Sequence, residues 1–177
     1  VHDVAGGVIK CLLQIANDGS AMSAAHVREL GTREVWTGHG DGKVGIWSIS
    51  EGGVGLKSEF LVLQEGHGMS VLSMVQVGRS VWLGTAAGMI WVTSLGSHGL
   101  VRRTVSLQGA AKTHVGGVRC LLEVGQEVWS ASDSGDLHVW RVSDCEHVRG
   151  MQCPGGKVRV MTRLPDGGVL TGHGGGV

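Results

Sequence analysis

Nine histidines, four cysteines and 15 acidic residues supply the groups from which a metal centre or an acid–base site could be built. Cys145, His147 and Cys153 lie closest together. Zinc takes four ligands at tight spacings such as C-x₂₋₄-C, and two cysteines with seven residues between them and one histidine do not make that set. His173-Gly174-Gly175-Gly176 spells a string that supplies oxyanion-hole amides in some lipases, but the G-x-S-x-G serine elbow of such hydrolases is absent. Gly40-Asp41-Gly42-Lys43-Val44-Gly45 matches G-x-G-x-x-G. A dinucleotide fingerprint must open a helix, whereas Ile46-Trp47-Ser48-Ile49 continues a strand. Lys43 and Lys157 follow glycines but precede valine, so there is no phosphate-binding Walker loop. Ser132-Asp133-Ser134 reads as a polar turn. No catalytic, cofactor-binding or metal-binding residue is expected.

Composition narrows the class. Of 177 residues 32 are glycine, Tyr is absent and Phe occurs once, yet there are six Trp. Glycines spread over the whole length argue for many short strands joined by tight turns. Lys+Arg and Asp+Glu are both 15, so no global basic field exists for nucleic acid. No apolar run approaches the length of a membrane span. Four cysteines are too few for a disulfide framework, which makes a reducing, cytoplasmic setting the expectation.

The tryptophans reveal a repeat. EVWTGHGDGKVGIWSIS begins at Glu34, SVWLGTAAGMIWVTSL at Ser80, EVWSASDSGDLHVWRVS at Glu127 and GVLTGHGGGV at Gly168. Trp36, Trp82, Trp129 and Leu170 take one equivalent position, at separations of 46, 47 and 41 residues. Six residues after each stands a glycine: Gly42, Gly88, Gly135 and Gly176. Apolar stretches precede the units at Val8, Val71, Val118 and Val158. The first of these is separated from its VW segment by about twenty residues, which predicts an insertion over about 16–33 with a short helix in AMSAAHVREL. Alternation in GKVGIWSIS and GDLHVWRVS predicts strands, and Asp41-Gly42 predicts a two-residue hairpin turn. Each unit is therefore expected as a four-stranded antiparallel meander, at about 8–64, 66–106, 114–152 and 157–177. One such sheet cannot bury both faces, so neighbours must stack on it. This is the logic of a β-propeller.

The units resemble WD repeats. Gly66-His67 lies before Val71 as in the GH-x-x-x-V opening of that family, and His114 stands in the same relation to Val118. Trp47-Ser48 and Trp140-Arg141 replace the closing W-D dipeptide. The resemblance implies a buried network of His, second-strand Ser/Thr, turn Asp and closing Trp. Its members here would be Thr37, Asp41 and Trp47 in the first unit, His67 in the second, and His114, Ser130 and Trp140 in the third. Ser134 stands where the third unit's Asp would be, and the second unit has Leu83, Ala87 and Thr93 at the remaining positions. The VW…G…(I/V)W rhythm is also similar to the WD-repeat region that precedes the catalytic domain of plant-type inositol polyphosphate 5-phosphatases.

The fold class expected is all-β, a WD-repeat-like β-propeller that is incomplete: three full four-stranded blades and part of a fourth. A closed propeller needs four to eight blades, so the remaining blades are expected in a longer chain. The function expected is a non-catalytic protein–protein interaction scaffold. The alternative is the regulatory or targeting segment of a phosphoinositide or inositol polyphosphate 5-phosphatase. The partner would be a protein or peptide, without nucleic acid or a membrane span. The rim expected to bind it contains His39, Asp41, Lys43, Asp133 and His173. Arg102, Arg103, Lys112, Arg119 and Arg159 belong to a basic group, but interleaved acids such as Glu123 and Asp133 favour a solvated surface. The paired tryptophans are expected to pack between blades.

Overall fold

A computed structural model describes residues 21–29, 32–50, 53–61, 70–95, 101–106 and 114–174. Among these residues fourteen strands follow one another in chain order. The first sheet runs β1 (Ala21–Glu29), β2 (Thr32–His39), β3 (Lys43–Ser50) and β4 (Gly53–Leu61). The second runs β5 (Val71–Val77), β6 (Ser80–Thr85), β7 (Ile90–Leu95) and β8 (Val101–Ser106). The third runs β9 (Val118–Val124), β10 (Glu127–Ser132), β11 (Asp136–Arg141) and β12 (His147–Gln152). The last sheet pairs β13 (Val158–Arg163) with β14 (Val169–His173). Every pairing is antiparallel between neighbours in sequence. The chain thus has the all-β blade architecture of a WD-repeat-like propeller, with first strands β1, β5, β9 and β13 adjacent in succession.

Two sequence expectations are corrected. Residues 21–29 form a strand, neither a helix nor part of an insertion, because β1 pairs with β2 from Ala21↔His39 to Glu29↔Thr32. Cross-strand hydrogen bonding overrides the helix preference of an alanine-rich stretch. The apolar run from Val8 that was expected as this blade's first strand lies outside the described residues, as does His67. The β2–β3 turn is also longer than two residues. It spans Gly40 to Gly42, Gly42 donates its N–H to the His39 carbonyl, and glycine closes the turn at φ 83°. That is the three-residue turn ending in a left-handed residue, a position where a Cβ would be strained.

Burial shows why the tryptophans recur. Trp36 packs with Val44 and Ile46 of its own blade against Val71, Val81 and Leu83 of the next. Trp82 repeats this one blade on, meeting Val118, Val128 and Trp140. Between the third and fourth blades lie Cys120, Ala131, Leu137 and Val139 against Val158 and Met161, with Trp129 partly buried beside them. Ser73 donates its hydroxyl to the Val118 carbonyl at 2.9 Å, tying the second blade's first strand to the third's. Gly84 permits that approach, since a Cβ there would lie 2.4 Å from Ser73 Oγ and 2.7 Å from a Val118 methyl.

All four first strands carry a bulge at one register position. The pairing slips between Ala21 and Ser23, between Val71 and Ser73, opposite Ala131/Ser132, and between Val158 and Val160. The extra residues are Met22, Leu72, Arg119 and Arg159. A bulge re-aims side chains and is a feature of strand ends that present them.

Because Trp82 is 1% exposed and Trp129 half-buried, truncating them separates blade packing from surface cover. Trp82→Ala is expected to cost roughly 3–5 kcal/mol, and Trp129→Ala clearly less. Urea unfolding midpoints of the two variants check this order.

Candidate functional site

The third blade holds a connected polar network. Trp140 Nε1 donates to Ser130 Oγ at 2.8 Å, and Ser130 Oγ meets His114 Nε2 at 2.7 Å. His114 Nδ1 contacts Asp136 Oδ2 at 2.7 Å. The other oxygen of Asp136 accepts from the hydroxyls of Ser132 and Ser134. His114 comes from the loop before β9, Ser130 from β10, and Asp136 and Trp140 from β11, so the network staples the loop to two strands. Ser134, which stands where the sequence pattern puts the acid, serves the acid instead. Asp136, two residues later, supplies the carboxylate, and its register on β11 aims it at the loop histidine.

Two more imidazoles extend the chain. His138 Nε2 lies 3.4 Å from Asp136 Oδ2, and His138 Nδ1 lies 2.8 Å from His147 Nε2. The rings of His114 and His138 meet edge to face at 4.5 Å. His147 therefore belongs to this cluster and not to the two cysteines beside it in sequence. Cys145 packs between the second and third blades and Cys153 between the third and fourth. Burial raises the pKa of both thiols.

Electrostatics fix the charge states. Burial, partly offset by Asp136, pushes the His114 pKa down to about 4. Burial would raise Asp136, but the Ser132 and Ser134 hydroxyls and His114 outweigh it and hold its pKa at about 2. At neutral pH an uncharged His114 donates Nδ1–H to a carboxylate and accepts the Ser130 hydroxyl proton at Nε2.

The other blades satisfy the same positions differently. In the first, Trp47 Nε1 donates to Thr37 Oγ1 at 2.8 Å, and Thr37 Oγ1 meets His39 Nε2 at 2.9 Å. His39 is thus buried in the network, which corrects its expected place on the binding rim. Its ring fits because position 45 is glycine: a Cβ there would sit 3.3 Å from His39 Nε2 and 2.9 Å from Trp47 Nε1. Asp41 is not a member. It is exposed, accepts from the Lys43 backbone N–H at 3.1 Å and pairs with Lys43 Nζ at 3.2 Å. In the fourth blade His173 turns inward in the same way, to Thr171 Oγ1 at 2.9 Å and to the Gly156 carbonyl at 3.1 Å. In the second blade Leu83 and Thr93 are buried at the equivalent positions. Sequence reasoning missed the reach of His39 and His173, although both stand two residues after a threonine on a second strand.

Of the expected rim, Asp41, Lys43 and Asp133 remain at the surface. Asp133 is held from two blades: Arg119 Nε donates to Oδ2 at 2.7 Å, and an Arg159 guanidinium nitrogen lies 3.2 Å from Oδ1. Both arginines are first-strand bulge residues. Val115, in the loop before β9, is 90% exposed, and the residue after it, Gly116, packs against Asp133. The repeated V-R at 118–119 and 158–159 is the sequence signal for this pair.

No protein-family model and no curated protein matches the sequence. Solved structures do. The chain superimposes on the computationally designed Ika8 protein with a TM-score of 0.64 at 19% identity, over 86% of this chain and 42% of that one. It matches the designed Ika4 protein with a TM-score of 0.62 at 19% identity, covering 88% of this chain and 92% of Ika4. It matches the RRP9 WD40 repeats with a TM-score of 0.64 at 17% identity, covering 88% of this chain and 51% of that one. The chain therefore spans about half the length of the WD40 structure it matches and nearly all of the shorter design. At these identities the likeness carries the fold, a WD40-type stack of blades.

Ser130→Ala would leave His114 Nε2 and Trp140 Nε1 without their partner and is expected to cost roughly 2–4 kcal/mol. Ser48→Ala, at an exposed hydroxyl, is expected to be nearly neutral in the same unfolding assay. Acid unfolding follows from the shifted groups. The lowered His114 pKa means that the unfolded chain binds a proton first, so stability present above about pH 6.5 is lost as pH falls to about 4. For Asp136 the stability present above its unfolded value of 3.8 is lost as pH falls toward about 2. His114→Asn is expected to flatten the upper window and to narrow the lower one without abolishing it, because Ser132 and Ser134 still hold Asp136, as read from urea midpoints against pH in EDTA-containing buffer.

Proposed function

We propose that this chain is a non-catalytic platform for protein–protein interaction, and that a peptide or protein segment docks on the rim where the second-to-third-strand turns and the first-strand bulges meet. The observation that carries this reading is the Arg119–Asp133–Arg159 chain of ion pairs, which spans two blades beside the exposed Val115. Packed sheets make a rigid mount, and the loops at their ends are free to vary. A half-exposed guanidinium on either side of one carboxylate keeps donors available, because each arginine has five N–H groups and spends few of them on Asp133.

The chemistry selects a partner with an acidic side chain flanked by an apolar one. The carboxylate would take the spare guanidinium donors as a charge-assisted pair, and the apolar group would cover Val115. Equal numbers of basic and acidic residues over the whole chain leave such local pairing to decide specificity. In either setting, a stand-alone scaffold or the accessory segment of an inositol polyphosphate 5-phosphatase, the binding surface is this rim and any reaction is carried elsewhere.

The test compares opposite ends of the blades. Arg119→Glu, Arg159→Glu and Val115→Asp alter the rim, whereas Arg141→Glu alters the exposed β11–β12 turn at the other end, where Arg141 pairs with Asp144. The immobilised chain is expected to retain a partner from its own cell extract, identified by mass spectrometry. Rim variants are expected to lose at least about tenfold in retained partner, as for a truncated interface anchor, with no loss for the control. Equal retention by all four variants overturns the assignment.

A further inference from the structure

The histidine cluster of the third blade exceeds what the fold requires. The first and fourth blades complete their Thr37 and Thr171 contacts with one imidazole each, His39 and His173. Position 138 lies opposite Ser130 in the β10–β11 register. The residues at the matching register elsewhere are Gly45 opposite Thr37 and Trp91 opposite Leu83. A blade is thus built with glycine, tryptophan or histidine at this place, and the histidine needs a separate reason.

Its geometry supplies one. His114 Nδ1 and His138 Nε2 converge on a single carboxylate oxygen, Asp136 Oδ2, at 2.7 and 3.4 Å. One ligand atom from each of the three residues lies within 4.8 Å of the others. Every remaining polar atom of the three is held from behind. Ser130 Oγ is 2.7 Å from His114 Nε2, His147 Nε2 is 2.8 Å from His138 Nδ1, and Ser132 and Ser134 hold Asp136 Oδ1. Metal-binding histidines characteristically donate from the second ring nitrogen, and here that nitrogen of each ring faces an atom able to accept, which fixes ring orientation. The outer strand also leaves space. A Cβ at Gly150 would lie 2.9 Å from His138 Nδ1 and 3.6 Å from His147 Nε2. The Asp136 and His138 side chains are 16% and 13% exposed, so an ion has an approach from solvent, while His114 is sealed.

We propose that His114 Nδ1, Asp136 Oδ2 and His138 Nε2 bind one divalent transition-metal ion, zinc being the ion that two imidazoles and a carboxylate suit best, with water completing a four-coordinate site. Zinc–ligand distances of about 2.0–2.2 Å in a tetrahedron put neighbouring ligand atoms roughly 3.3 Å apart. The His138–Asp136 separation already matches. The His114–Asp136 contact opens by about 0.6 Å as the hydrogen bond is exchanged for the ion. The proton balance is internal. His114 moves its N–H from Nδ1 to Nε2 and donates to Ser130 Oγ, whose own hydroxyl turns to the His138 carbonyl at 3.4 Å. Trp140 Nε1 continues to donate to Ser130 Oγ. No group is left unpaired by metal entry, and the ion joins the loop before β9 to β11.

The test uses the untagged chain, stripped with EDTA, dialysed and titrated with Co²⁺ and then Zn²⁺ at neutral pH. One Co²⁺ per chain with the visible ligand-field absorption of a four-coordinate ion is expected, displaced by Zn²⁺, and Zn²⁺ is expected to raise the thermal midpoint. His138→Gly, which copies the first blade's Gly45, is expected to weaken Zn²⁺ binding at least 100-fold. His147→Ala, acting through His138, is expected to weaken it roughly 10–100-fold. Tryptophan emission shows that each variant is folded. Nitrogen-15 spectra of the wild-type imidazoles need no variant, and they are expected to show His114 exchanging its protonated nitrogen on Zn²⁺ addition. Failure of the wild-type chain to bind stoichiometrically, undiminished binding by folded His138→Gly, or an unchanged His114 tautomer would each overturn the site.

Discussion

A four-stranded sheet that is apolar on both faces has no stable existence alone, and the rest of this structure follows from that constraint. The first two blades bury their second-strand tryptophans against the first strand of the next, Trp36 on Val71 and Trp82 on Val118, while Trp129 in the third is half-covered. The strands must come close for this burial to be complete. Glycine at position 84 removes the obstruction, and the Ser73 hydroxyl then reaches across to the Val118 carbonyl. Backbone approach, side-chain burial and one cross-blade hydrogen bond are therefore parts of a single requirement.

The same packing creates the polar problem that the site residues solve. The third-strand indole N–H, of Trp47 or Trp140, and the second-strand hydroxyl it meets are carried inward by the same stacking, and buried polar groups left unpaired are costly. Among the described residues three blades answer with an imidazole, but it arrives by different routes. His39 and His173 reach back from the ends of their own second strands, while His114 comes from the loop before its blade and brings a carboxylate with it. Repeat sequences can diverge this far because the constraint acts on donor and acceptor positions and not on the residue that fills them.

That freedom explains what was legible beforehand. The tryptophan period, the turn glycines and the meander order were visible because packing fixes them in every unit. Thr37–Trp47 and Ser130–Trp140 could also be read, since both lie in the regular part of the repeat. The first strand of the first blade could not. AMSAAHVRE has helix-favouring alanines and little apolar alternation, and it becomes a strand through pairing with β2. Leu30-Gly31 before Thr32 resembles Val77-Gly78 before Arg79, but one extra residue before Trp36 hides the match. Asp136 was missed for a related reason: the repeat pattern places an acid at 134, whereas register on β11 places the working carboxylate two residues on. Positions set by a strand's register show in a structure, not in spacing.

The third blade concentrates these departures in one turn. Residues 132–136 carry Ser132 and Ser134 to one oxygen of Asp136 and present Asp133 outward to Arg119 and Arg159. The inner half of the turn faces the histidines and the outer half faces the rim. Gly135, at φ 86°, lets the chain reverse between the two halves, and its carbonyl accepts from the Cys153 N–H leading toward the fourth blade. Asp133 and Asp136 thus sit on one turn in which the Ser134 and Gly135 N–H groups are both held by Ser132. The rim and the histidine cluster therefore share one mechanical support.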